Sequence, residues 1–279
     1  MKRTTLFTCS IYPDLTRVWH HFARRYTDSS QVTTIIYDCG SRLRPGDFPD
    51  ARIIRYPNVE HGKKIDHFVR DVAETPLIFL SDDDVFLLHE EAEPMAAAAL
   101  LLHERAATFS FKPREWWEFE IDGQRYPVMG SYALVFKPGV IRNEHLSFCS
   151  RPTDNPKIRK GSGSYDTADY ANEQLLRRGY EIISPESSLR KKLVRSYSAV
   201  SSGFVNFARR GWFNGAYRLT KSRAAWATEI SSDLRKLEWA CGVAATVSLH
   251  RQLSPKRLGS ATSSPTPIWQ RWPSTTRSQ

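Results

Sequence analysis

The run Leu77-Ile78-Phe79-Leu80 is wholly apolar and holds no turn former. One serine later come Asp82-Asp83-Asp84, and then a second apolar run through Leu88. An uninterrupted apolar stretch of that length reads as a strand buried on both faces. Three like charges at the end of a core strand repel one another and require a positive partner. A hard divalent cation, Mg²⁺ or Mn²⁺, suits such oxygen ligands, above all one also held by phosphates. An acidic triplet by itself is more often a solvated turn. What gives this one weight is its place at the end of a core strand.

The segments upstream repeat the pattern. Residues 4–8 form a short apolar strand, followed by a turn at Cys9-Ser10-Ile11-Tyr12-Pro13-Asp14. A helix over 15–26 places Leu15, Val18, Trp19 and Phe22 on one face. A β-branched strand over 32–37 ends in the turn Asp38-Cys39-Gly40-Ser41. A third strand is expected over 53–56 and a helix over 65–73. Strands alternating with helices predict an α/β layer structure with a mostly parallel sheet. In such sheets ligands gather at the carboxyl ends of the strands. Thr8, Ser10, Asp38 and the three aspartates would all stand on that edge.

The second half changes character. A helix is expected over 93–107, then strands over 109–112 and 118–121, with Asp122-Gly123 as a hairpin turn. Gly130-Ser131 leads into another strand. Residues 150–164, rich in Ser, Pro, Gly, Lys and Arg, read as a mobile loop. A helix over 166–178 and a strand over 181–183 follow. The expected organisation is a catalytic domain over 1–195, a helical basic extension over 196–250, and a disordered tail over 251–279.

The 279 residues carry a formal net charge of +10, which fits an anionic partner: a nucleotide diphosphate, nucleic acid or an acidic membrane. The four cysteines show no C-x-x-C spacing, so a zinc site is not expected and free thiols are. The apolar run behind the N-terminal Met-Lys-Arg is too short for a signal peptide. No segment approaches the roughly 18 apolar residues of a membrane-spanning helix. A cytoplasmic protein is expected, resting at most on the inner face of a membrane.

Taken in order, three motifs resemble the family-2 glycosyltransferases of GT-A (Rossmann-like) fold: Phe7-Thr8-Cys9-Ser10-Ile11-Tyr12, Ile35-Ile36-Tyr37-Asp38-Cys39-Gly40-Ser41, and Asp82-Asp83-Asp84. The resemblance covers residues 4–185. It implies a nucleotide-diphosphate sugar donor, UDP-sugar favoured, and a hydroxyl acceptor. Thr8, Ser10, Asp38, Lys64, Asp82 and Asp83 would line the donor site, with Asp38 on the nucleobase and Asp82 on the ribose. Asp84, helped by Asp82, would hold Mn²⁺ or Mg²⁺ against the diphosphate, a Lewis acid for a poor leaving group. Gly130 and Ser131 would lie beneath the donor sugar and acceptor, and Trp117 would stack on a sugar ring. The basic residues Lys157, Arg159 and Lys160 would close over the phosphates.

The family's inverting transfer uses a carboxylate base at the start of a helix. Its usual Glu-Asp pair is absent here, and Asp166 and Asp169 bracket the place, Asp166 preferred. Both also suit an ordinary helix start. The late metal-ligand histidine of many such enzymes is missing from the segment Leu193 to Val200. The other histidines, His61 among them, read as surface or core residues. The segment 204–219 resembles a helix that follows the catalytic domain in family members; it would rest on an anionic membrane or pack on the catalytic domain. The alternatives are a nucleic-acid-binding or nucleic-acid-modifying protein, suggested by the positive charge, and a nucleotidyl or phosphoryl transferase using the aspartates.

Overall fold

The computed structural model describes residues 2–11, 13–152 and 164–196, the side chains of 14, 114–117, 119, 164 and 196 excepted. The expected extension, tail and most of the basic loop, with Lys157, Arg159 and Lys160, lie outside the described residues.

The strands are β1 (Thr4–Ser10), β2 (Val32–Asp38), β3 (Ala51–Arg55), β4 (Leu77–Ser81), β5 (Val85–Leu87), β6 (Ala106–Ser110), β7 (Arg114–Ile121), β8 (Gln124–Val128), β9 (Ala133–Phe136), β10 (Arg151–Pro152), β11 (Ser164–Tyr165), β12 (Glu181–Ile183) and β13 (Val194–Ser196). The helices are α1 (Pro13–Tyr26), α2 (His61–His67), α3 (Ala92–Leu102), α4 (Pro138–Asn143), α5 (Asp169–Arg177) and α6 (Ser187–Leu193). Seven strands form one sheet in the order β12-β6-β9-β4-β1-β2-β3. Strand β9 runs antiparallel to both of its neighbours; the other pairs are parallel. This is the mixed, mostly parallel sheet with flanking helices expected of the sequence.

The register sets the edge that matters. Phe7 pairs with Leu80, and Ser10 pairs with Asp38. The carboxyl ends of β1, β2 and β4 therefore bring Ser10, Asp38 and the Asp82–Asp84 turn to one side of the sheet. Strand β6, antiparallel to the antiparallel β9, ends on that same side. Beneath this edge Phe7 stacks on Phe68 at 3.8 Å between ring centroids and meets Tyr37 edge-on at 4.8 Å. Around them Ile65, Ile78, Leu80, Leu134 and Leu175 complete a buried layer between the sheet and α2, α4 and α5. All five residues of β4 are buried, which is why its sequence is continuously apolar rather than alternating.

Asp122 and Gly123 both have positive φ, 51° and 77°, and join β7 to β8 as a two-residue hairpin turn, as the sequence expects. Three helix expectations are corrected. The helix expected over 93–107 ends at Leu102, and Ala106 and Ala107 enter β6, where both are fully buried. Alanine favours helix locally, but a place in the sheet interior outweighs that preference. The helix expected over 65–73 begins at His61 and closes in a π-helical turn over Phe68–Val72, in which the Ala73 amide bonds Phe68 O at 2.9 Å. The helix expected from 166 starts at Asp169, after Ala168 at φ 72°.

An ion pair ties α3 to the start of β1. Glu93 is 2% exposed and takes two bonds from Arg3, at 3.0 and 2.6 Å, and one from the Thr4 hydroxyl at 2.5 Å. Truncation strips three donors of their acceptor. Glu93→Ala should cost about 3 kcal/mol of unfolding free energy, read as a lower denaturant midpoint.

Candidate active site at the carboxyl edge of the sheet

Residues 82–85 form a tight turn, with the Val85 amide on Asp82 O at 3.1 Å and the Asp82 amide on Tyr132 O at 3.1 Å. The turn sends its three carboxylates into different surroundings. Asp83 is buried and accepts the Ser10 hydroxyl at 2.5 Å. Burial pushes its carboxyl well above the usual carboxylate range, neighbouring Asp84 adds to the shift, and the Ser10 bond opposes it. Asp84 is also buried; burial lowers the nearby Lys112 ammonium, and the Asp84 charge only partly opposes that shift. The Asp82 side chain is one-third exposed, and its Oδ1 lies 3.5 Å from His61 Nε2.

His61 opens α2. Its Nε2 is buried and makes no hydrogen bond, although part of the ring is accessible. Burial, helped by Lys64, pushes the imidazole down to about 4; the charge of Asp166 opposes the shift. His61 thus lies against Asp82 of the turn after β4 and within the field of Asp166. Gly62 makes that placement feasible: a Cβ there would lie 2.4 Å from Phe148 O and 2.5 Å from Cys149 Cα. Both are backbone-bound neighbours that must shift together. Gly62→Ala should destabilise by about 1–3 kcal/mol, at the upper end of that range, read from a denaturant midpoint with unchanged slope.

Asp38 is fully buried, and its carboxylate builds its own turn. Oδ1 accepts the amides of Gly40 at 3.2 Å and Arg42 at 3.1 Å, and Oδ2 accepts that of Leu43 at 3.0 Å. Asparagine keeps one acceptor and turns an amide toward a buried N–H. Asp38→Asn should therefore cost about 1–3 kcal/mol, measured by chemical denaturation.

Lys64 is 8% exposed and donates to Asn58 Oδ1 at 2.8 Å. Thr8 is fully buried and its hydroxyl has no hydrogen-bond partner. Gly130 and Ser131 are buried, and the close approach at Gly130 is to protein: a Cβ would lie 2.5 Å from Lys112 O and from the Tyr132 ring. Trp117 belongs to β7, with its side chain outside the described residues.

Asp166 is half-buried in the turn ahead of α5. Its backbone N–H donates to Asp169 Oδ2 at 2.8 Å, and its Oδ1 accepts the Thr167 amide at 2.8 Å. Asp169 is fully buried. The N-cap of α5 is Ala168, so Asp166 is not the helix cap that its sequence position suggested.

Asp66 of α2 fastens the chain after α4. It accepts the Ser147 hydroxyl at 2.6 Å and the Phe148 amide at 2.8 Å.

Two members of the edge were missed in the sequence, His61 and Lys112. Lys112 had a signal, two residues past a strand parallel to β4, whereas His61 had none, because the helix it opens was expected to start at 65.

A divalent cation is tested against this donor set. Asp82 and Asp84 supply hard carboxylate oxygens. Among the described residues no group of three or more His, Cys, Asp or Glu side chains closes a cage. Carboxylate oxygens are ligands of hard cations such as Mg²⁺ and Mn²⁺, which keep waters and share phosphate ligands. Among the described residues no helix is long and apolar enough to cross a membrane.

No protein-family model and no curated protein sequence matches the chain. Solved structures similar to it include the mannosyltransferase PcManGT from Pyrobaculum calidifontis in complex with GDP-Man and Mn²⁺, 12% identical, with a TM-score of 0.47 over 88% of this chain and 78% of that one. A 4-diphosphocytidyl-2C-methyl-D-erythritol synthase is 10% identical, with a TM-score of 0.45 over 74% of this chain and 97% of that one. An active-site mutant of LgtC is 12% identical, with a TM-score of 0.41 over 66% of this chain and 73% of that one. What those proteins bind is a property of those proteins.

Proposed function

We propose that this chain is a glycosyltransferase that moves a sugar from a nucleotide-diphosphate sugar to an acceptor hydroxyl, with inversion. The observation that carries this reading is the division of labour among the three aspartates. Asp83 is turned inward to Ser10, Asp84 is buried near Lys112, and Asp82 is one-third exposed beside His61. A solvated acidic turn would not bury Asp83 and Asp84.

In this reading Asp82 and Asp84 would hold Mn²⁺ or Mg²⁺, and a bound cation would supply positive charge to the leaving diphosphate. The protein's own groups do the rest. Lys112 and Lys64 add positive charge near the aspartates. The turn that Asp38 builds shapes the rim where the nucleobase lies, so Asp38 acts through backbone positions. Asp166 takes the proton from the acceptor hydroxyl as it attacks the anomeric carbon. Asp169 serves as its positioning residue by fixing the Asp166 backbone. Neutral His61 adds no charge beside either carboxylate near neutral pH, so it leaves Asp82 to the metal and Asp166 to the acceptor.

The test is a donor panel, UDP-sugars first, incubated with the full chain and Mn²⁺. Release of nucleoside diphosphate from one donor, faster with a hydroxyl acceptor and abolished by EDTA, is the expected result. Release of pyrophosphate from a nucleoside triphosphate instead would replace this reading with nucleotidyl transfer.

A further inference from the structure

Cys9 and Cys39 stand together at the same sheet edge, and the transfer chemistry uses neither. Cys9 lies in register with Tyr37, and the Cys39 amide bonds Ser10 O at 2.9 Å. Both side chains join the layer under the sheet edge, close enough for each thiol to shift the titration of the other. The Lys64 ammonium is near enough to favour the ionised form of the Cys39 thiol. Cys39 is 8% exposed, while Cys9 is more open. We propose that Cys9 and Cys39 are a modification site, a dithiol that a peroxide closes into a disulfide, weakening nucleotide binding at the adjoining edge.

The two thiols have different characters. Interaction with Cys9 and the nearby Lys64 charge lower Cys39 toward thiolate, while burial pushes Cys9 well up. Thiolate is the reactive form, so Cys39 attacks first. Its sulfur takes one oxygen of hydrogen peroxide, the O–O bond breaks, and hydroxide leaves, giving a sulfenic acid. The Cys9 thiol then displaces that hydroxyl, losing its proton, and water leaves as the S–S bond forms. Two thiols are oxidised, and one peroxide is reduced to water. The bond draws the sulfurs to about 2.05 Å. That pulls the end of β1, where Ser10 holds Asp83, against the turn built by Asp38, and it removes the thiol whose ionised form Lys64 favours. The binding consequence rests on the donor-site reading above; the disulfide does not.

The full chain is treated with hydrogen peroxide, alkylated, digested without reductant and weighed. The expected product is a Cys9–Cys39 cross-linked peptide pair, with Cys149 and Cys241 alkylated. In Cys9→Ser, dimedone should trap a sulfenic acid at Cys39; in Cys39→Ser, Cys9 should stay unlabelled. Alkylation of both cysteines in the treated wild type, or bridging of either to Cys149 or Cys241, overturns the site. The same samples are melted with nucleoside diphosphate and Mn²⁺. The upward shift seen in reduced protein should fall by half or more on oxidation and return with dithiothreitol. A cross-link with an unchanged shift overturns the binding consequence. A reduced protein with no shift removes the donor reading, while the masses still decide the disulfide.

Discussion

Asp166→Asn is expected to lower turnover about 10²- to 10⁴-fold, the contribution of a general base, while leaving donor binding nearly unchanged. Asparagine preserves size and can still accept the Thr167 amide, so the turn before α5 is kept. It cannot accept a proton. Steady-state kinetics with saturating donor should therefore show the loss in kcat, with little change in the donor KM. The matching change at Asp169 should behave differently. Asp169 is fully buried and accepts the Asp166 amide, so Asp169→Asn should lower the melting temperature as well as the rate. A variant at Asp166 that turns over normally, with Asp169→Asn inactive and stably folded, would exchange the two roles.

Asp84→Asn should weaken metal-dependent nucleotide binding about 100-fold or more. Even outer-shell partners of metal sites are worth 10- to 100-fold in affinity, and a direct ligand is worth no less. Calorimetric titration of nucleoside diphosphate with Mn²⁺ reads the effect, and the same titration in EDTA gives the metal-free reference. The wild type should show a large difference between the two conditions, and Asp84→Asn almost none. The fold should survive, because asparagine relieves the like-charge contact with Asp83. Asp83→Asn is the contrast. Asp83 faces Ser10 rather than the edge, so its substitution should touch stability more than metal response.

Much of the sheet could be read from the chain because its strands are buried on both faces. The run 77–80 carries its assignment in continuous apolar composition, and 32–37 in β-branched residues. The alternation with helices implied a mostly parallel sheet, and with it the gathering of Ser10, Asp38 and Asp82 at one edge; the order of the strands belongs to the structure alone. The sequence was less informative where tertiary placement outweighed local preference. Ala106 and Ala107 look helical in isolation, and only their burial in β6 makes them strand. His61 was missed because one histidine has no pattern of its own; its meaning lies in facing Asp82 and Asp166, which are 21 and 105 positions away. Asp38 illustrates the reverse. Its position was legible, but its hydrogen bonds to Gly40, Arg42 and Leu43 belong to a turn whose shape composition does not encode.

The most direct test of the central claim is the melting temperature of the full chain against a panel of nucleoside diphosphates, each with Mn²⁺ and with EDTA. A ligand that binds only the folded state raises that temperature with concentration, by about 2.7 kcal/mol of added stability at a hundred times its dissociation constant. The account predicts that one nucleotide stabilises the protein in Mn²⁺ and loses that effect in EDTA. No response to any nucleotide with metal present, together with salt-sensitive binding to DNA, would contradict it.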